Sequence, residues 1–522
     1  MMRNGLGVRK IGGVVLAVIG LGGSGYGQTA ADSQAAPGPS PLEVTAQRVV
    51  LDVVVTNKKG EIVTGLTKDD FTVYEDKVAQ GTTSFEEVEA KTAAPNVVNS
   101  TAELDRLEPN APVSIVVIDE LTTKFEDLAF ARYSLKKYLK AQGDTLEEPT
   151  LLLAANYRNI SVLRDYTTSR KEILDALDRH MANYGEVMRA GNPSWLNEQI
   201  DAAFGSLIGV AEATAGHRGH KNMVWIGRGF PPVNMMKLSP EAQDAFQAEL
   251  ASCTQLLRDS RVTLYTVDPV GVAVGLPSQD EMGFYVDDPF GGQVDFDTMA
   301  LATGGKSLHG RNDVDHLIDE SVRDGGSFYT LSYKPEVESE TPKEFRKIRV
   351  VMKDSTLRAS TRVGYFVVPA AVAPVKEANG KYSKRLIFDL GVAGGSLLVY
   401  DGVPLSVARD GTAGDTFGLT IHAADLPLQM DSSQKPSAEL TVLAESFDKR
   451  GKMIGHEARI LTVRMAARAP SGGPDTRTVR LPVSISTKAP AVRLRFVVRA
   501  NATGKVGAEN FYLAGEKAPP VR

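Results

Sequence analysis

The apolar run VSIVVI, Val113 to Ile118, delivers Asp119 to its carboxyl end, and Glu120, Thr122 and Thr123 follow within four residues. Carboxylates and hydroxyls this close together are the oxygen donors that a hard divalent cation takes, and equally the acceptors around which a turn folds. A second oxygen cluster, Asp287, Asp288, Asp295 and Asp297, sits in YVDDPFGGQVDFD with Phe284, Tyr285 and Phe290. It lacks the ordered spacing of a calcium loop, so a solvated loop is expected there, with aromatic content that also suits recognition. His217 and His220, beside Arg218 and Lys221, make a basic turn. No cysteine or carboxylate follows them at a zinc spacing, and a solvated turn is expected. ATGGKS has Ala300 where a phosphate loop needs its first glycine, and it reads as a turn. No Gly-x-Ser-x-Gly elbow, His-Glu-x-x-His or dinucleotide glycine fingerprint occurs, so no enzyme is expected. The enzymatic alternative would rest on the carboxylates of the loop Asp287 to Asp297.

Position gives Asp119 its interest. VSIVVID runs into the amphipathic pattern FEDLAFARYSLKKYL, and open α/β sheets bind ligands where strands end and helices begin. Further strands are expected at Leu151 to Ala155, Asn222 to Ile226 and Val262 to Val267. Helices are expected at Phe125 to Lys140, Arg170 to Met181, Leu196 to Thr214 and Pro240 to Arg258. Alternating strands and helices predict a mostly parallel sheet. Thr123 with Glu126 fits a capping box, preferred here over cation ligation. Arg228 is placed either to pair with Asp119 or to face solvent.

Before this block, residues 42–92 alternate apolar and polar residues, and residues 327–368 do so again after it. Each set is too small to bury a face alone, so the two are expected to pack together with residues 112–326 inserted between them. In residues 375–522 the runs RLIFDLGV, GSLLVYDG, AELTVLAESFD, ARILTVRM and VRLRFVVRA predict a C-terminal β-sandwich. The fold class expected is thus α/β plus all-β.

With 522 residues and a net charge of only -5, the chain carries no field of one sign, and a nucleic-acid partner is not expected. Arg3, Arg9 and Lys10 before an apolar run, with small residues after it, predict a signal peptide over residues 1–31 and a linker over 32–41. Cleavage would leave an exported protein, periplasmic or extracellular, with no membrane span. The single cysteine, Cys253, allows no intrachain disulfide.

Four stretches, LDVVVTNKKGEIVTGLTKDDFTVYEDKVAQ, IDELTTKFEDLAFARYSLKKYL, HRGHKNMVWIGRGFP and LATGGKS followed by SFYTLSYKP, occur in an order that resembles the bacterial exported proteins with von Willebrand factor type A domains, the acidobacterial VWFA-related group. The resemblance implies a Rossmann-like central domain with helices on both faces and a protein-binding or adhesive role. It also implies a divalent cation, Mg or Ca, held by an Asp-x-Ser-x-Ser run, a threonine and a further aspartate. Asp119 and Thr123 match that run in kind, but Leu121 stands where a serine would ligate. Gly227 and Arg228 stand where the aspartate would, and only Ser194 lies near the expected threonine. The expectation is therefore a protein partner bound through Asp119, Glu120, Thr122, Thr123, Arg228 and Phe290, with no cofactor. The alternative is a partial cation site at Asp119 and Thr123.

Overall fold

The computed structural model describes residues 49–88, 97–156, 160–181, 195–271, 290, 292–335, 345–366, 375–376, 380–410, 415–430, 435–465, 477–487 and 490–513. The chain opens with β1 (Val49–Thr56), β2 (Phe71–Glu75), β3 (Val78–Gln80) and β4 (Thr82–Val88). In β1 and β2 every second side chain is buried, as period-two patterning requires of a half-covered sheet.

The α/β domain follows with α1 (Thr101–Leu107), β5 (Val113–Asp119), α2 (Phe125–Ala141), β6 (Thr145–Ala155), β7 (Ile160–Ser169), α3 (Arg170–Arg179), α4 (Trp195–Ala213), β8 (Lys221–Ile226), the short β9 (Val233–Asn234), α5 (Pro240–Asp259), β10 (Val262–Val267), the short β11 (Gln293–Val294), α6 (Phe296–Thr303), β12 (Ser307–Leu308) and α7 (Val314–Gly326). Six of these strands form one sheet in the order β12-β10-β8-β5-β6-β7. All neighbours run parallel except β6 and β7. Every residue of β5, β8 and β10 is buried, which is what helices on both faces of a parallel sheet produce. One core packs α4, α5 and α6 on one face, and a second packs α2, α3 and α7 on the other.

The strands then resume as β13 (Phe328–Tyr333), β14 (Phe345–Met352), β15 (Arg358–Ser360) and β16 (Gly364–Phe366). They join the first four in two antiparallel sheets, β15-β1-β13-β4 and β16-β14-β2-β3. Leu51, Val53, Val73, Tyr329 and Leu331 fill the core of this β unit. The α/β domain is thus inserted between paired β segments.

Next comes a correction. RLIFDLGV, expected as a strand, forms the helix α8 (Lys384–Gly395). Ser383 caps it by accepting the Leu386 N–H at 3.2 Å, and Leu386, Leu390 and Ala393 recur on one buried face. GSLLVYDG contributes only β17 (Tyr400–Asp401). There follow β18 (Leu405–Arg409), β19 (Thr416–His422), β20 (Gln429–Met430), β21 (Pro436–Phe447), β22 (Met453–Arg464), β23 (Thr478–Ser484), β24 (Arg493–Ala500) and β25 (Val506–Tyr512). They make a six-stranded and a three-stranded antiparallel sheet enclosing a common core. The other face of the larger sheet packs through α8 against α4, which docks the sandwich on the α/β domain.

Candidate functional site

Counted within the α/β sheet, the strands run 6-5-4-1-2-3, so chain order reverses between β5 and β8. A crevice opens outside the carboxyl ends of two strands whose connections depart in opposite directions. Asp119 ends β5 at this point, and the loop Gly227, Arg228, Gly229 leaves β8 beside it.

The Asp119 side chain is fully buried, and both its oxygens are engaged. Oδ1 accepts the backbone N–H of Leu121 at 2.8 Å and of Thr122 at 3.2 Å. Oδ2 accepts the Thr122 hydroxyl at 2.9 Å and the Gly229 N–H at 2.8 Å. Burial pushes the carboxyl above its ordinary range, against the pull of the Gly229, Leu121 and Thr122 donors. The two glycines make this approach possible. A Cβ on Gly227 would lie 2.2 Å from the Asp119 Cβ and 2.6 Å from the Thr123 Oγ1, and one on Gly229, at φ 64, would enter the Phe296 ring.

Thr123 does not cap α2. The helix starts at Phe125 and its N-cap is Lys124, which makes no side-chain cap bond, so the expected box with Glu126 is not formed. The Thr123 hydroxyl is instead buried beside Gly227 and Asp119 with no hydrogen-bond partner among the described residues. Leu121 is fully buried in the sheet's core. Glu120 turns to the other side of the strand end, where Oε1 meets the His180 Nε2 at 2.5 Å, both residues buried. Arg132 holds the end of α3 in place by donating to the carbonyls of Leu177 and His180, at 2.6 and 2.7 Å. The His180 carboxylate partner was not foreseen from sequence, because 60 residues separate the pair.

Arg228 does not pair with Asp119. It points outward, about half exposed, and donates to Asp268 at 3.1 Å. Asp268 directly follows β10 and in turn accepts the Val270 N–H at 2.9 Å. A signal for it existed: VTLYTVD ends on an aspartate as VSIVVID does.

Phe290 does not stand at the surface. It is buried, stacked on Phe366 at 5.5 Å and edge-on to Phe345 at 5.9 Å. Asp295 caps α6 through the Thr298 N–H, and Asp297 accepts the Thr266 hydroxyl at 2.9 Å, so both carboxylates have structural duties. Phe284, Tyr285, Asp287, Asp288 and Ser194 lie outside the described residues. His217 and His220 are buried, not solvated: His217 meets the Ala111 carbonyl at 2.8 Å and His220 meets Asp52 at 2.9 Å. His220 belongs to the junction with the β unit, where Asp52 also binds Arg261 and Thr330. Among the described residues no group of three or more His, Cys, Asp or Glu is placed to hold a metal. Asp119 and Thr123 are the two residues here whose oxygens could share one cation.

No family profile matches the chain, and no curated protein does. Among solved structures, one of human COPII-coat protein Sec24c is similar at 9% identity and TM-score 0.23, over 50% of this chain and 44% of that one. A hypothetical protein from Pyrococcus horikoshii is similar at 10% identity and TM-score 0.12, over 21% of this chain and 85% of that one. A β-glucuronidase of Bacteroides uniformis is similar at 11% identity and TM-score 0.14, over 36% of this chain and 19% of that one. Likenesses this slight leave function to the chemistry of the site.

Proposed function

We propose that the chain is an exported protein-interaction or adhesion protein whose von Willebrand factor A-like domain engages a protein partner at the sheet edge near Asp119, without a shared cation. The observation that carries this reading is the Asp119 carboxylate, whose four acceptor positions are taken by the protein's own donors. A cation there would displace those bonds inside a buried site. The outward pair of Arg228 and Asp268 offers a guanidinium at the same edge, a group enriched where proteins bind one another. Met181, after α3, and Met236, after β9, are 83% and 85% exposed. Such side chains suit a binding surface.

A second reading has one observation in its favour. The buried Thr123 hydroxyl has no partner among the described residues, and it lies beside Asp119 as a shared Mg or Ca ligand would. Calorimetry with each cation separates the two. Absence of heat at millimolar cation supports direct contact, whereas heat that Asp119→Ala abolishes supports the cation.

A further inference from the structure

β22 is a 12-residue strand at the rim of the larger C-terminal sheet. Among the described residues it pairs with β21 and with no other strand. Antiparallel neighbours exchange hydrogen bonds at every second residue pair, and two bonds fix the phase here. Met465 donates its N–H to the Pro436 carbonyl at 2.8 Å on the β22 side, and Asn501 donates to the Glu439 carbonyl at 2.9 Å on the β24 side. The even-numbered residues of β21 therefore bond β22 through Val463, Leu461, Arg459 and Glu457. His456, Ala458, Ile460 and Thr462 turn their N–H and C=O groups away from β21, and no described strand takes them.

Such an edge is a template for another strand, and proteins commonly shorten it or place proline or lysine on it. The sandwich does so elsewhere: β17 and β20 have two residues each, and β23 carries Pro482. β22 is long and has neither proline nor lysine.

We propose that β22 pairs antiparallel with β22 of a second copy of this chain, about a two-fold axis at Ala458. This register sets Ala458 opposite Ala458 and His456 opposite Ile460, each with its backbone donor and acceptor turned toward the other copy. It also sets Glu457 of each copy opposite Arg459 of the other, as close neighbours whose opposite charges attract. Within one chain these side chains meet at 3.1 Å and stay 42% and 55% exposed, so both charges stand ready at the edge. An axis one residue away, at Arg459 or Glu457, would instead set like charges face to face. Charge complementarity thus selects the register, and the small Ala458 lets the two strands close at the axis.

Size-exclusion chromatography with light scattering tests this on the full chain across micromolar concentrations. A dimer is expected for the wild type. Glu457→Arg and Arg459→Glu each set like charges across the axis, and each is expected to run as a monomer with the wild-type circular dichroism spectrum. An equimolar mixture of the two is expected to dimerise, because each copy then supplies the charge the other needs. Ala458→Pro, which removes a donor that β21 does not use, is expected to be a folded monomer. A monomeric wild type, single charge variants that dimerise as well as the wild type, or a mixture that stays monomeric would each overturn the proposal. The charge variants and their mixture decide the matter even if A458P fails to fold.

Discussion

Asp119 and Gly229 close the sheet edge at its switch point: the Oδ2 of Asp119 accepts the Gly229 N–H at 2.8 Å, tying the end of β5 to the loop after β8. Replacing this carboxylate by an amide turns an NH2 group toward one of its backbone donors. Asp119→Asn is expected to lower stability by about 1–3 kcal/mol, read as a reduced urea midpoint with unchanged slope. An unchanged midpoint would mean that these bonds do not hold the edge.

Leu121 and Arg228 should separate stability from binding. Leu121 is fully buried, so Leu121→Ala is expected to cost about 2–5 kcal/mol. Arg228→Ala breaks an exposed pair and is expected to change stability by less than about 1 kcal/mol. A large loss of stability in R228A would place this arginine in the scaffold and not at the binding surface.

At the junction with the β unit, burial alone would raise the Asp52 carboxyl, but the hydrogen bond and charge of His220, then Arg261, hold it below the usual range. A depressed folded value contributes stability that is present above the unfolded carboxylate value and lost as pH falls through the folded one. Asp52→Ala is therefore expected to cost about 3–5 kcal/mol at neutral pH, with the gap to wild type closing progressively below the unfolded value of about 4. Denaturant titrations at neutral and acid pH check both parts, and a gap independent of pH would contradict them.

Asp401 works in the opposite sense where the sandwich meets α4. Its Oδ1 accepts the Gly216 N–H at 2.7 Å, while burial and then the charge of Asp105 raise its carboxyl to about 7. A raised folded value means that the folded state binds more protons between about pH 4 and pH 7, so its contribution is lost as pH rises through that window. Asp401→Asn is expected to flatten the fall in stability there by up to about 1.4 kcal/mol per pH unit. An identical slope in the variant, from melting followed across this range, would rule the account out.

Much of the fold was legible because periodicity is local. VSIVVID, NMVWI and VTLYTV read as buried strands, and the helices of FEDLAFARYSLKKYL and PEAQDAFQAELASCTQLLRD appear within a residue or two of expectation. What failed depended on distant partners. RLIFDLGV is equally apolar as strand or helix until its face meets α4 and the C-terminal sheet. His220 looked like a solvated turn because Asp52 lies 168 residues away. Phe290 looked like a loop aromatic because Phe345 and Phe366 come from a different unit. At the site, the place of Asp119 was legible but its hydrogen bond from Gly229 was not, and that bond fixes how its charge is used.

The most direct test is capture of partners from envelope extract by the wild-type chain and by Arg228→Glu, each with chelator and with added Mg. A protein retained by the wild type in chelator and lost from R228E is the expected result. Retention that vanishes with chelator and returns with Mg, or that R228E leaves unchanged, would contradict direct, cation-free binding at the Asp119 edge.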